Sequence, residues 1–200
     1  MVKQNLKQWF GFIREADVLL IYFITKKTMK AVPFRPKKNQ RLVIESILKH
    51  YNKKHNTVAL ITGKYGSGKS YIAHLLATKL NKRIVHMCDN INQTRPNEFF
   101  VSMYGWVRPS EEEPLIVLID EVDIIINQIA NGNRINHKEF KCEFITKADW
   151  NRFFEWFNKG LYPHTIILMT SNKSKQQITS LPNVDPSWLR KGRIDLEFNL

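Results

Sequence analysis

Val58-Ala-Leu-Ile-Thr-Gly63-Lys64-Tyr65-Gly66-Ser67-Gly68-Lys69-Ser70 decides how the rest of the chain is read. It spells Gly-x-x-x-x-Gly-Lys-Ser directly after a short apolar run and directly before the helical pattern that ends at Leu80. A phosphate-binding loop needs those flanks as much as the spacing. Glycines let the backbone turn tightly and present consecutive N–H groups to an anion. Lys69 then reaches the β- and γ-phosphates, the Ser70 hydroxyl ligates Mg²⁺, and the following helix offers its positive N-terminal end. The expected ligand is a nucleoside triphosphate, ATP, held by residues 63–70.

Outward from the loop, Thr57–Thr62 reads as a strand buried on both faces, and the run from Ser70 to Leu80 as a helix burying Ile72, Leu75, Leu76 and Leu80. A second apolar run, Leu115-Ile-Val-Leu-Ile119, ends in Asp120-Glu121-Val-Asp123. Open parallel sheets bind ligands at the carboxyl ends of their strands. Asp120 is expected to hold Mg²⁺ through its water shell. Glu121 is expected to polarise the attacking water as general base. These two stretches are read as Walker A and Walker B elements, and the expected activity is that of a hydrolase.

Further strands are expected at Arg83–Cys88 and Thr165–Met169, with Thr170-Ser171-Asn172 at the end of the latter, and at Ile194–Leu200, where apolar residues alternate. His86 and Cys88 are of metal-ligating type, yet strand packing explains them without further ligands nearby. Helices are expected over Arg41–Tyr51, around Phe99–Val107, and after the cap Thr146-Lys-Ala-Asp149, where Trp150, Phe153, Phe154 and Phe157 fall at i, i+3, i+4 and i+7. That aromatic stripe reads as core. Gln4–Phe23 suits one or two helices, residues 31–36 form a proline-broken linker, and Asn131–Phe144 is irregular.

The chain has 200 residues, 43% of them hydrophobic, enough for one domain with a substantial core. Its two cysteines, Cys88 and Cys142, support neither a disulfide framework nor a zinc site. The net charge is +13, and residues 1–54 supply most of it, with 13 Lys/Arg against 3 Asp/Glu. The expected division is a basic arm and linker at 1–36 and an ATPase core at 37–200. Such an arm can meet nucleic acid or an anionic surface, or serve only as a solvated face. Val18–Ile24 is too short to span a membrane and no cleavage site follows it, so a cytoplasmic location is expected.

Phosphate loop, strand-end Asp-Glu, strand-end Asn and a downstream Arg-x-x-Arg occur in the order that resembles the AAA ATPase family. Ile166–Asn172 resembles its sensor-1 strand, which implies that Asn172 helps orient the lytic water. Val184-Asp-Pro-Ser-Trp-Leu-Arg190-Lys-Gly-Arg193-Ile-Asp195 resembles its second region of homology, which implies that Arg190 and Arg193 act as arginine fingers on a neighbouring subunit's γ-phosphate. Leu-Met-Thr-Ser-Asn and Arg-Ile-Asp-Leu-Glu are most similar to the branch containing the mitochondrial respiratory-complex-III assembly chaperone. The resemblance implies an α/β fold with a five-stranded parallel sheet flanked by helices. It also implies ring-shaped homo-oligomers and ATP-driven remodelling of other macromolecules. Lys64-Tyr65 replaces the family's paired prolines, which backbone amide binding tolerates. Leu200 falls where the family's helical lid begins, so the lid and its sensor-2 arginine are expected to be absent from this sequence. Two other readings stay open: a nucleic-acid-associated ATPase of the loader type, and a nucleotide-binding module that does not hydrolyse. A small-molecule kinase is disfavoured, since Arg-x-x-Arg would have no clear work in it.

Overall fold

The computed structural model describes residues 19–21, 36–80, 86–88, 100–134 and 144–200. Runs of Val, Ile and Leu with no polar alternation make strands covered on both sides, and three of them form the centre of the sheet. These are Asn56–Thr62, Leu115–Ile119 and Thr165–Ser171, buried almost throughout. With Leu19–Ile21, His86–Cys88 and Leu196–Asn199 they complete a six-stranded sheet. Numbered β1 to β6 in chain order, the strands lie β1-β3-β4-β5-β2-β6, and every pairing is parallel.

The α/β sheet is therefore as expected in type, with six strands rather than five. The added one is β1, whose Leu19, Leu20 and Ile21 pair with His86, Met87 and Cys88. This corrects the expectation of helix at that point: a β-branched and aliphatic run can complete the open edge of a parallel sheet. The rest of the helix expected over Gln4–Phe23 lies outside the described residues, as do 135–143 of the irregular stretch. The side chains of His86 and Cys88 are also outside them.

Among the described residues six α-helices cover the sheet: α1 Lys38–Lys54, α2 Tyr71–Leu80, α3 Phe100–Val107, α4 Val122–Ala130, α5 Lys147–Asn158 and α6 Lys175–Thr179. The pleat sends alternate strand residues to opposite layers. Ala59, Ile61, Ile116, Leu118, Ile166 and Leu168 meet the aliphatic side chains of α1 and α2. Val58, Leu60, Val117, Ile119, Ile167 and Met169 face a second layer built from α3, α4 and α5. The α5 stripe is core: Trp150 is fully buried and Phe144 stands edge-on to Phe153 at 5.1 Å. The predicted cap is present, with Thr146 Oγ1 accepting from the Asp149 amide.

α4 was not legible as a helix, since Val122-Asp-Ile-Ile-Ile hides its period in a continuous apolar run. Its buried residues, Val122, Asp123, Ile125, Ile126 and Ile129, nevertheless recur at helical spacing. Because all six strands run the same way, the carboxyl ends of β2, β4 and β5 share one edge. Every motif singled out by the sequence, except the two arginines, leaves the sheet there.

Candidate functional site

β2 hands the chain to the phosphate loop at Gly63. A side-chain carbon on Gly63 would lie 2.3 Å from the Leu200 carbonyl oxygen, because the end of β6 crosses directly beside it. Leu200 donates its amide to the Thr62 carbonyl at 2.8 Å. Gly68 has φ 90° and is held from outside by Gln40 in the first turn of α1, whose Nε2 donates to its carbonyl at 3.2 Å. Among the described residues, the amides of Gly66, Gly68, Lys69 and Ser70 have no backbone acceptor. They are oriented donors for an anion at the start of α2.

Lys69 is buried, at 8% exposure, and its ammonium is fully engaged. Nζ donates to the carbonyls of Gly63 and Lys64 at 3.0 Å each and to Asn172 Oδ1 at 2.8 Å. Ser70 Oγ donates to Asp120 Oδ1 at 2.9 Å, and the Thr170 hydroxyl bonds the same oxygen. The Thr170 oxygen in turn accepts the Glu121 amide at 3.3 Å. Together these groups line a cavity of ≈ 190 Å³, with Tyr65, Ser70, Asp120, Glu121 and Asn172 in its wall.

Ser70 and Asp120 fit a magnesium site. They are hard oxygen donors side by side at the cavity, and a cation bound largely through its own waters needs few protein ligands. Glu121 is exposed and takes the left-handed conformation, φ 53° and ψ 47°, at the entry to α4. That backbone swing turns the chain abruptly between β4 and α4. It separates Glu121 from Asp120, so that one carboxylate stays on Ser70 while the next is left open to the cavity.

The structure adds partners that the motifs did not name. Asp123 is 4% exposed, accepts from Ser171 Oγ at 2.7 Å and pairs with Lys173 Nζ at 2.8 Å. Thr170 and Ser171 were read only as the tail of a strand; hydroxyls at a strand end facing acids on the neighbouring strand were the available signal.

The two arginines lie outside the cavity wall. Both follow the 3-10 turn Pro186–Leu189, capped by the Asp185 carboxylate on the Ser187 amide at 2.8 Å. Arg190 is exposed. Arg193 was expected to project with it, but it is folded inward, at 6% exposure, with Nη1 donating to the Ser187 carbonyl. Burial, then the nearby Arg190 charge, push its pKa below the ordinary value, while Glu155 and Asp185 pull the other way. The acids nearest in sequence are engaged elsewhere. Asp195 accepts the Val58 amide at 2.9 Å, and Glu197 pairs with Lys175.

Residues 59–200 match the family described as ATPase family associated with various cellular activities (AAA). The chain belongs to the AAA family. A relative at 29% identity over 109 residues is the chromosome transmission fidelity protein 18 homolog of Xenopus laevis. That alignment takes in 50% of this AAA chain and 10% of the relative, so the chain spans about a tenth of the relative's length. Among solved structures, domain III of the replication initiation protein DnaA from Thermotoga maritima is similar with a TM-score of 0.43 and 14% identity. It covers 84% of this chain and 64% of that one. The match over residues 59–200 carries the AAA family, and not the branch of the respiratory-complex-III assembly chaperone that two short stretches resemble. No helix among the described residues is long and apolar enough to cross a membrane.

Proposed function

We propose that this AAA chain binds ATP with Mg²⁺ and hydrolyses it to ADP and phosphate, working in a ring-shaped homo-oligomer that remodels another macromolecule. The observation that carries the reading is the meeting of Lys69, Ser70–Asp120, Glu121 and Asn172 around one cavity, from three strands that are far apart in sequence. The amides of Gly66, Gly68, Lys69 and Ser70 receive the phosphates. Lys69 exchanges its carbonyl partners for phosphate oxygens, a stronger pairing because both partners are charged. Ser70 and Asp120 would hold Mg²⁺, which would supply positive charge against the phosphates. Glu121 takes the proton of the attacking water, and Asn172 orients that water. Arg190 and Arg193 complete the site of a neighbouring subunit, Arg190 by reaching out and Arg193 from beneath it. Residues 37–200 form the ATPase core and 1–36 a basic arm, from which Leu19–Ile21 joins the sheet. A cytoplasmic location fits this reading.

Phosphate release from Mg-ATP, measured with Lys69→Ala as control, tests the proposal. Binding of ATP is expected to weaken on the order of 50-fold in that variant, the scale of a lost charged hydrogen-bond set. Unchanged affinity would remove the phosphate-loop assignment. Binding without turnover in the wild type would favour a nucleotide-binding module.

A nucleic-acid-associated ATPase is the second reading. It is favoured by the +13 net charge and by likeness to a relative named for chromosome transmission fidelity. Stimulation of hydrolysis by DNA or RNA, falling steeply with salt, supports it. Indifference to both returns the reading to protein remodelling.

A further inference from the structure

We infer that Asp123 is a positioning residue that sets Asn172 against the phosphate site; the inference rests on the ATPase reading above. β5 leaves the sheet through Thr170-Ser171-Asn172-Lys173. Ser171 is 1% exposed; its hydroxyl donates to Asp123 Oδ1 at 2.7 Å and accepts the Lys173 amide at 2.9 Å. Lys173 Nζ donates to Asp123 Oδ2 at 2.8 Å. One carboxylate therefore grips the residue before Asn172 with one oxygen and the residue after it with the other. Asn172 stands exposed between two anchored neighbours, its Oδ1 on Lys69 Nζ at 2.8 Å.

Asp123 does not belong to the cation site. Asp120 is the acid bonded to Ser70, and Asp123 is absent from the cavity wall. A buried carboxylate is costly unless both oxygens are paired, and here its two partners are the chain positions that fix where Asn172 stands. Asp123 lies in the first turn of α4, directly after Glu121 and Val122. The clamp thus ties Asn172, proposed to orient the water that attacks the third phosphate, to the same helix entry that carries the proposed base.

The test uses the whole chain with Mg²⁺ and fluorescent nucleotides, a non-hydrolysable ATP analogue and ADP, so that binding is read without turnover. In Asp123→Asn the preference for ATP over ADP is expected to fall about tenfold, with ADP affinity unchanged, since Asn172 and the Lys69 ammonium it holds face the place of the third phosphate and its water. Asn172→Ala should lose the same preference, and adding Asp123→Asn to it should cost nothing more. Lys173→Met, at a half-exposed position, removes one grip without leaving the fold in question; it should lose about threefold. Equal weakening of ATP and ADP, or additive losses in the double variant, would overturn the clamp alone. A wild type that binds ATP and ADP alike would overturn the clamp alone, whereas a folded wild type that binds neither would overturn the ATPase reading, and the clamp with it.

Discussion

The phosphate-loop edge and the segment from Asp185 to Asp195 both gather cations, and they hold them in opposite ways. Lys69 has three oxygen acceptors supplied by its own chain, and its neighbours Ser70, Asp120 and Thr170 satisfy one another. Arg190 stands in solvent, while Arg193 is buried with one nitrogen on a backbone carbonyl. Its Nε has no acceptor among the described residues. A buried donor without an acceptor costs on the order of 1–3 kcal/mol. The loop's cation is thus satisfied by its own chain, whereas the arginine segment has more donors than acceptors among the described residues. The contrast favours a site completed between subunits.

Arg190→Ala is the sharpest way to break that comparison. If Arg190 acts across an interface, turnover should drop about 10³-fold, the low end for an arginine finger, with ATP affinity and melting temperature unchanged. Mixing inactive Arg190→Ala with inactive Lys69→Ala protein should then restore part of the activity, because some mixed interfaces pair an intact loop with an intact arginine. Mixtures that stay dead, with turnover independent of protein concentration, would place the whole reaction in one chain.

Glu121→Gln probes the other region. It should bind ATP normally and turn over about 100-fold more slowly, the lower bound for general-base help. Undiminished phosphate release in that variant would assign the base elsewhere.

Arg193→Ala separates burial from reach. Unlike Arg190→Ala it should cost about 2 kcal/mol of stability in denaturant titration, through the lost bond to Ser187 and the space left behind. Equal stability of the two variants would mean that Arg193 does not anchor the segment.

The loop edge and the central strands were legible in the sequence because their signals are local. Gly63 to Ser70 carries its own spacing, and Leu115–Ile119 is apolar on both faces because helices cover both faces. The partners of those motifs were not legible. Thr170 on Asp120, and Ser171 and Lys173 on Asp123, join positions about fifty residues apart, and nothing in either stretch alone encodes the meeting. The inward turn of Arg193 escaped for the same reason: its partner carbonyl is available only once Pro186–Leu189 has closed into a turn. Leu19–Ile21 could not be told from a helical fragment, since three residues show no period.

The smallest expected effect concerns the cap of that turn. Hydrogen bonds from Lys147 and then Ser187 hold the Asp185 carboxyl at about 2, below its ordinary range. A depressed carboxyl contributes stability above its unfolded pKa of about 4 and loses it as pH falls through the folded value. The wild type should therefore lose slightly more melting temperature between about pH 4 and pH 2 than Asp185→Asn does. The pair is half exposed, so added salt should erase much of the difference.

The left-handed backbone at Glu121 has a consequence for how this protein could be improved. A glutamate there costs about 1 kcal/mol more than glycine would, since only glycine takes that conformation without crowding its β-carbon. Glu121→Gly should accordingly melt higher than the wild type while losing its proposed base. A library screened for heat resistance alone would enrich inactive chains at this position. Selection for activity and selection for robustness pull residue 121 in opposite directions, so thermal screens of this protein need a catalytic counter-screen.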